Sequence, residues 1–524
     1  MAYAMPRRAE APLVRREARG SSALISTALC SLVAAGFFFS SDDFHHWFLL
    51  PVLLCGIAIA IDAVDWLGGR IDVLDPVGPL GCFGVHFFFL APLLHVHFDL
   101  FLPEVRGPGD WRPWLGGMAI LNFAGLLAYR AARKAMENRP AATIEWRIVQ
   151  PPFSRTLYLM LAVAIALQLA VYTSFGGLDG YIGAYENRAQ GGDARGLGVL
   201  FSICESVPIL AAIGAAVHVK RQGLRPSWGI LAIALVLLFV VRMLFGGLRG
   251  SRSTTLHTMF WIVGIIHFWI RPISRKQLLL AVPFALLFFY LYGFYKAGGR
   301  AGLESALSSA EERAAAAEDY NRSFDVVLTG DLSRSDVQAF VLYRAWRDND
   351  DLSYYWGKTY WGALCLAVPK SFWPDRPAFR AQAGTEALFG RGSYNSEHRR
   401  TSRLFGLAGE AMLNFGPAAV PLTFAALGAL LGRTRRGMRR WAAHDARRLF
   451  LPFFTLLGLN LLIGDMDTIV FFCFHRGAMP AALILWCHQR VGCAPSVCRA
   501  GPPRPHLPAF TKTARSSRAP EPPR

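Results

Sequence analysis

Long apolar stretches alternate with short, mostly basic ones along this chain. Twelve apolar runs stand at 21–40, 47–64, 78–95, 114–129, 157–174, 197–219, 228–245, 254–270, 278–295, 411–432, 449–463 and 469–487. Most are long enough to cross a roughly 30 Å hydrocarbon layer as a helix. The period-2 alternation of a membrane barrel is missing, and unpaired strand edges are too costly in lipid for an open sheet. The pattern therefore predicts an all-α polytopic transmembrane helix bundle of about 12 spans. One segment, 296–410, is too long and too polar to be a simple connection and is expected to form a large helical loop on the outer side.

Composition agrees with this picture. The chain is 53% hydrophobic and only 17% charged, with mean hydropathy +0.31, which excludes an ordinary soluble globule. Its formal net charge of +19 reads as positive-inside loop chemistry and not as nucleic-acid binding. Alternate short connections, counted with the N-terminal tail, hold 25 lysines and arginines, against 6 in the opposite set. Both termini are therefore expected in the cytoplasm. The layout is a basic tail (1–20), nine spans (21–295), the outer loop (296–410), three spans (411–487) and a Pro-rich disordered tail (488–524). No clear cleavage site follows the five arginines of the first tail, so the first span reads as a retained signal anchor. The nine cysteines are scattered and suggest no disulfide framework. Cys487, His488, Cys493 and Cys498 have no strong metal-site spacing.

Two pairs of arginines break the charge rule. Arg188 and Arg195 lie in the outer connection "GGLDGYIGAYENRAQGGDARG", and Arg249 and Arg252 lie in the next one, "FGGLRGSRS". A single arginine on the disfavoured side can simply be solvated, but four of six in two neighbouring loops suggest a gathered positive site. Charges within or beside spans are costly unless paired. Glu205–Arg242 and Asp467–Arg476 are the expected ion pairs, and His257 and Asp465 lie near them.

In the outer loop, an alanine-rich charged stretch from 296 predicts a solvated helix. Ser335 reads as the N-cap of a second helix whose apolar face carries Val337, Phe340, Val341 and Trp346. The aromatic stretch 354–380 has an apolar core too short to span, so an interfacial or re-entrant helix is expected there. Its tryptophans and tyrosines suit the headgroup level, though the same rings can stack on sugars. Past Arg399, Arg400 and Arg403, Glu410 and Asn414 share one helical face at the outer boundary. A carboxylate there also suits the helix dipole alone.

The order of short motifs resembles the O-antigen polysaccharide polymerases, the Wzy-type oligosaccharide repeat-unit polymerases of bacterial envelopes. Between Asp75 and Arg476 stand Asp75-Pro76, "GGLDGY" (176–181), "GSR" (250–252), "VPKSFWPDRP" (368–377) and "GEAMLNFG" (409–416). The resemblance implies a multi-pass enzyme of the bacterial inner membrane whose large loop is periplasmic. It implies transfer of a growing glycan from undecaprenyl pyrophosphate to a new lipid-linked unit, making O-antigen or exopolysaccharide. Its partners would be that lipid-linked glycan, membrane lipid, a chain-length regulator and a flippase. The long basic tail and the N-terminal helix match nothing in the family pattern.

The charges suit this chemistry. A departing lipid pyrophosphate needs fixed positive charge, and arginine forks fit phosphate oxygens. Arg249, Arg252 and Glu410 are the expected catalytic residues. Arg188, Arg195, Arg242, Arg376, Arg403 and Asn414 are the expected substrate-binding residues. Glu410 is expected either to act as general base or to orient an arginine fork. The second role is favoured, because an arginine-rich pocket would depress its pKa and weaken it as a base. Asp348, Asp350 and Asp351 read as a solvated helix end, so no metal or other cofactor is expected. An O-antigen ligase-like glycosyltransferase and a lipid-linked glycan flippase or transporter remain the alternatives. A transporter would more typically gather its charges at the midplane in repeated broken helices.

Overall fold

A computed structural model of the chain describes residues 19–140, 144–186, 198–249, 252–309, 311–313, 324–347, 354–366, 368, 372–373, 377, 380–395, 401 and 403–492. Nine helices among them are long and apolar enough to cross a membrane. They are Gly20–Ser40, Leu49–Leu67, Val77–Phe98, Arg112–Asn138, Pro152–Ser174, Gly198–Arg221, Ser253–Ile270, Ala446–Ile463 and Met466–Cys487. The protein is thus an α-helical membrane bundle, with nine of the twelve expected spans meeting that standard. Trp228–Leu244 is equally apolar but has 17 residues. The span expected at 278–295 falls inside the helix Arg275–Leu307, which bends at Gly299 (φ +62°). The span expected at 411–432 is divided into Gly406–Phe415 and Val420–Arg440. Gly416 (φ +80°) and Pro417 interrupt the backbone ladder between these two helices.

Helix starts follow local chemistry. The Ser227 hydroxyl accepts from the Ile230 N–H, and Ser274 and Gln277 form a reciprocal capping box. The helix Arg112–Asn138 packs along Val420–Arg440 through glycines. A Cβ on Gly428 would stand 2.1 Å from the Tyr129 carbonyl oxygen, and one on Gly432 would stand 2.4 Å from that of Arg133. Such close backbone approach is how helices associate where lipid removes the hydrophobic drive. Gly428→Leu should therefore lower stability by about 3 kcal/mol or more, because the clash is with backbone. Melting in detergent checks this. Gly229→Ala is the neutral control, since its nearest new neighbour would be 3.8 Å away.

An ion network closes the end of this helix pair. Arg133 donates to Asp62 at 2.7 Å, and Arg435 donates to Asp75 at 2.9 Å and to Glu137 at 2.5 Å. Asp75 of the Asp-Pro motif is thus a structural anchor. Beside this end, β1 (Ile144–Ile148) pairs antiparallel with β2 (His488–Gly492). The C-terminal tail therefore begins as a strand; residues 493–524 lie outside the described set.

The opposite end is capped by the long loop, which carries helices Ser335–Arg347, Lys358–Cys365 and Arg380–Phe389. The first of these packs on the start of Arg112–Asn138 with Val337, Phe340 and Val341 buried as expected. Trp346, expected on the same apolar face, is instead 76% exposed. At 3.6 residues per turn it stands about 180° around the helix from Val337. Asp348, Asp350 and Asp351 lie outside the described residues.

Candidate functional site

Two groups of charged side chains are buried toward the loop-bearing end. The first joins four helices. Arg242 donates from Nη1 to Glu205 Oε2 (3.3 Å) and to the Phe245 carbonyl (2.9 Å), and from Nη2 to Thr254 Oγ1 (2.9 Å). Arg476 reaches the same Glu205 oxygen from Nη2 (2.9 Å) and donates from Nη1 to Thr258 Oγ1 (3.3 Å). The expected Glu205–Arg242 pair is present. The expected Asp467–Arg476 pair is not, since Asp467 accepts from Arg380 at 3.2 Å. Nine residues of helix separate Asp467 from Arg476, a rise of about 13 Å, which is too far for their side chains. Arg476 stands in a π-helical stretch, Cys473–Gly477, a distortion that often marks functional sites.

This group grips both ends of the "FGGLRGSRS" connection, through Phe245 and Thr254. The middle is held from Arg275–Leu307, where the Tyr292 hydroxyl donates to the Gly247 carbonyl and that of Tyr295 to the Leu248 carbonyl (3.0 Å). Gly246 (φ +104°) is required, because a Cβ there would lie 2.6 Å from Glu205 Cγ. Arg242 has no exposed surface. It is a support for the connection and not the substrate contact expected from sequence. The side chains of Arg249 and Arg252 lie outside the described atoms. Arg188, Arg195 and Arg376 lie outside the described residues.

The second group surrounds Glu410 in Gly406–Phe415. Its Oε1 accepts from the Thr359 hydroxyl (2.7 Å), and its Oε2 accepts from the Met466 N–H (2.6 Å). Asn414, fully buried, donates from Nδ2 to Thr359 Oγ1 (2.7 Å) and to the Glu410 carbonyl (2.9 Å). Its Oδ1 accepts from the Gly357 N–H (3.0 Å). Asn414 is therefore a brace, and its expected substrate contact is not open to it. Asp465 accepts from the N–H groups of Phe405 (3.0 Å) and Gly406 (2.8 Å), and from Arg380 Nε (3.1 Å). Arg403 is held away from Glu410 by Glu104 (2.8 Å).

Among the described atoms no arginine touches Glu410; the side chains of Arg249 and Arg252, the expected fork, are not among them. Burial, together with the negative charge of nearby Asp465, pushes the Glu410 carboxyl up to about 8. That is opposite to the depression expected from an arginine-rich pocket. The guanidinium bridging the other carboxylates, Asp465 and Asp467, is that of Arg380, a residue not expected at the site from sequence. Its only signal was an arginine just beyond the "VPKSFWPDRP" motif. A cavity of about 220 Å³ opens beside Glu410, lined by Tyr360, Leu407, Thr423, Leu461, Met466 and Ile469 among others.

The helix Met466–Cys487 links the two groups, beginning at the second and carrying Arg476 of the first. The His257 and Phe472 ring centroids lie 5.5 Å apart, and Arg476 bonds Thr258, so Ser253–Ile270 touches Met466–Cys487 at these positions. Asp467 follows Met466, whose N–H holds Glu410. Arg252 begins one of these two helices, and Met466 begins the other.

These features define a class: a polytopic helical membrane protein with a buried carboxylate and a braced, arginine-bearing connection at its loop-covered end. No protein-family model, curated protein or solved structure matches the chain.

Proposed function

We propose that the protein is a glycosyltransferase that polymerises lipid-pyrophosphate-linked oligosaccharide units on the outer side of a bacterial inner membrane. The observation that carries this reading is the buried Glu410 carboxyl, whose affinity for a proton is raised, beside a cavity at the loop-covered end. In the reaction, a sugar hydroxyl of the acceptor unit attacks the anomeric carbon of the donor glycan. The bond from that carbon to the pyrophosphate oxygen breaks, and the pyrophosphate leaves with the electron pair. The hydroxyl proton goes to Glu410, whose raised pKa makes it a base matched to near-neutral pH. Arg249 and Arg252 receive the leaving charge from a connection fixed in advance, which spares reorganisation during the step. Arg242, Glu205, Arg476, Tyr292 and Tyr295 supply that fixing. The basic asymmetry of the connections supports the outward orientation of the long loop.

Glycan chain-length analysis in a deletion strain tests the proposal. Polymer should disappear while a single-unit glycan survives on its final acceptor. Accumulation of finished polymer on the lipid carrier would instead mean a ligase. Unchanged glycan, with a transport defect for some other solute, would overturn both readings.

A further inference from the structure

The turn leading into Lys358–Cys365 has an unusual backbone. Trp356 adopts φ +49° and Gly357 φ +84°. Glycine suits that left-handed region, but a tryptophan rarely enters it. The turn is fastened to the last residues of Gly406–Phe415. The Tyr355 N–H donates to the Leu413 carbonyl (3.1 Å), that of Trp356 to the Asn414 carbonyl (2.9 Å), and that of Gly357 to Asn414 Oδ1 (3.0 Å). Yet the ring these bonds hold in place is 73% exposed. A strained and firmly braced large aromatic that buries little against its own protein points to an external contact.

Its surroundings identify that contact. Trp356 lies against Phe415 at 6.5 Å, and Phe415 is itself exposed. One helical face of Lys358–Cys365 exposes Trp361 and Leu364, three residues apart, while Thr359, Gly362 and Ala363 are buried behind it. From Phe415 the chain passes through Gly416 into Val420–Arg440, whose Leu422 is 72% exposed. An aliphatic side chain that open, on a helix entering the bundle, faces hydrocarbon. The aromatic face is thus continuous with a lipid-facing surface and sits just above it. Tryptophan favours that depth, where its ring meets acyl chains and its N–H meets headgroups. Leu364 suits lipid and would gain nothing from a sugar ring.

We infer that Trp356, Trp361, Leu364 and Phe415 form an interfacial edge that rests in the headgroup layer of the outer leaflet, with Asn414 as its positioning residue. The edge is wired inward, since Asn414 and Glu410 both bond Thr359. The long loop is thereby referenced to the bilayer surface at the point where Glu410 stands. This inference does not depend on the polymerase reading.

The test is photo-crosslinking of the full-length protein in phosphatidylcholine vesicles that contain a lipid with a diazirine near its glycerol backbone. Adducts are then mapped by peptide mass spectrometry. Adducts are expected at Trp356, Trp361 and Leu364 in yields comparable to those at Leu422. Asn414→Ala should lower the yield at Trp356 several-fold while leaving Leu422 unchanged, which also reports that the variant is folded. Adducts at Leu422 with none at 356–364 would overturn the inference. So would protection of Trp356 from water-borne radical oxidation by added lipid-linked oligosaccharide but not by the vesicle alone, which would make the edge a sugar platform.

Discussion

Glu410→Gln should reduce polymer formation by roughly 10² to 10⁴ while leaving the protein as stable as before, or more so. Glutamine keeps the shape of the side chain. Its carbonyl oxygen still accepts one of the two bonds that Glu410 receives, from the Thr359 hydroxyl and the Met466 N–H. What it loses is the ability to take a proton. The stability sign follows from linkage. Glu410 has its folded pKa raised to about 8, above the ordinary glutamate value near 4.3 in the unfolded chain. Between those values the unfolded chain ionises while the folded one retains its proton, so stability falls as pH rises through the window. A neutral glutamine is free of this loss, so the variant should gain on the wild type toward pH 8. For the wild-type enzyme, the rate should rise as pH climbs through the same upper value, because the base form is the active one. Polymer length in cells and melting curves from pH 5 to 8 check both halves. Wild-type polymer from Glu410→Gln at normal abundance would remove Glu410 from the chemistry.

The second large effect is structural. Glu205→Ala should cost about 3–5 kcal/mol, because it strips the shared carboxylate from two buried guanidinium groups. Arg242 and Arg476 both reach the same Glu205 oxygen, at 3.3 and 2.9 Å. Desolvated cations are tolerated only with such a partner. The loss should spread to the connection carrying Arg249 and Arg252, since Arg242 is also bonded to Phe245 and Thr254 at its ends. Low abundance and a lowered melting temperature are the expected readouts. Arg242→Met, which leaves Glu205 its bond to Arg476, should be milder. A melting temperature for Glu205→Ala equal to that of the wild type would show that the cluster does not hold the bundle together.

The amino-acid sequence alone located nine membrane-length helices, though not the breaks at Gly299 and Gly416. Apolar runs long enough to cross a bilayer need no tertiary partner to be recognised, because lipid dictates the requirement residue by residue. It also picked out Glu205 with Arg242, two charges stranded in apolar runs at the same end, and Glu410 as a boundary carboxylate. Lateral neighbours were beyond its reach. Helical spacing fixes depth along one helix, but the rotation and pairing of helices arise from packing of small residues such as Gly428 against Tyr129. That packing sent Arg476 to Glu205 and left Asp467 to Arg380. It turned the Asn414 side chain inward onto Thr359 and the Gly357 N–H, although the i, i+4 spacing with Glu410 reads equally well as a shared substrate face. The direction of the Glu410 pKa was likewise a tertiary matter. Sequence showed arginines upstream, whereas the folded chain surrounds the carboxyl with apolar walls and Asp465, so desolvation outweighs the attraction of cations that are held elsewhere.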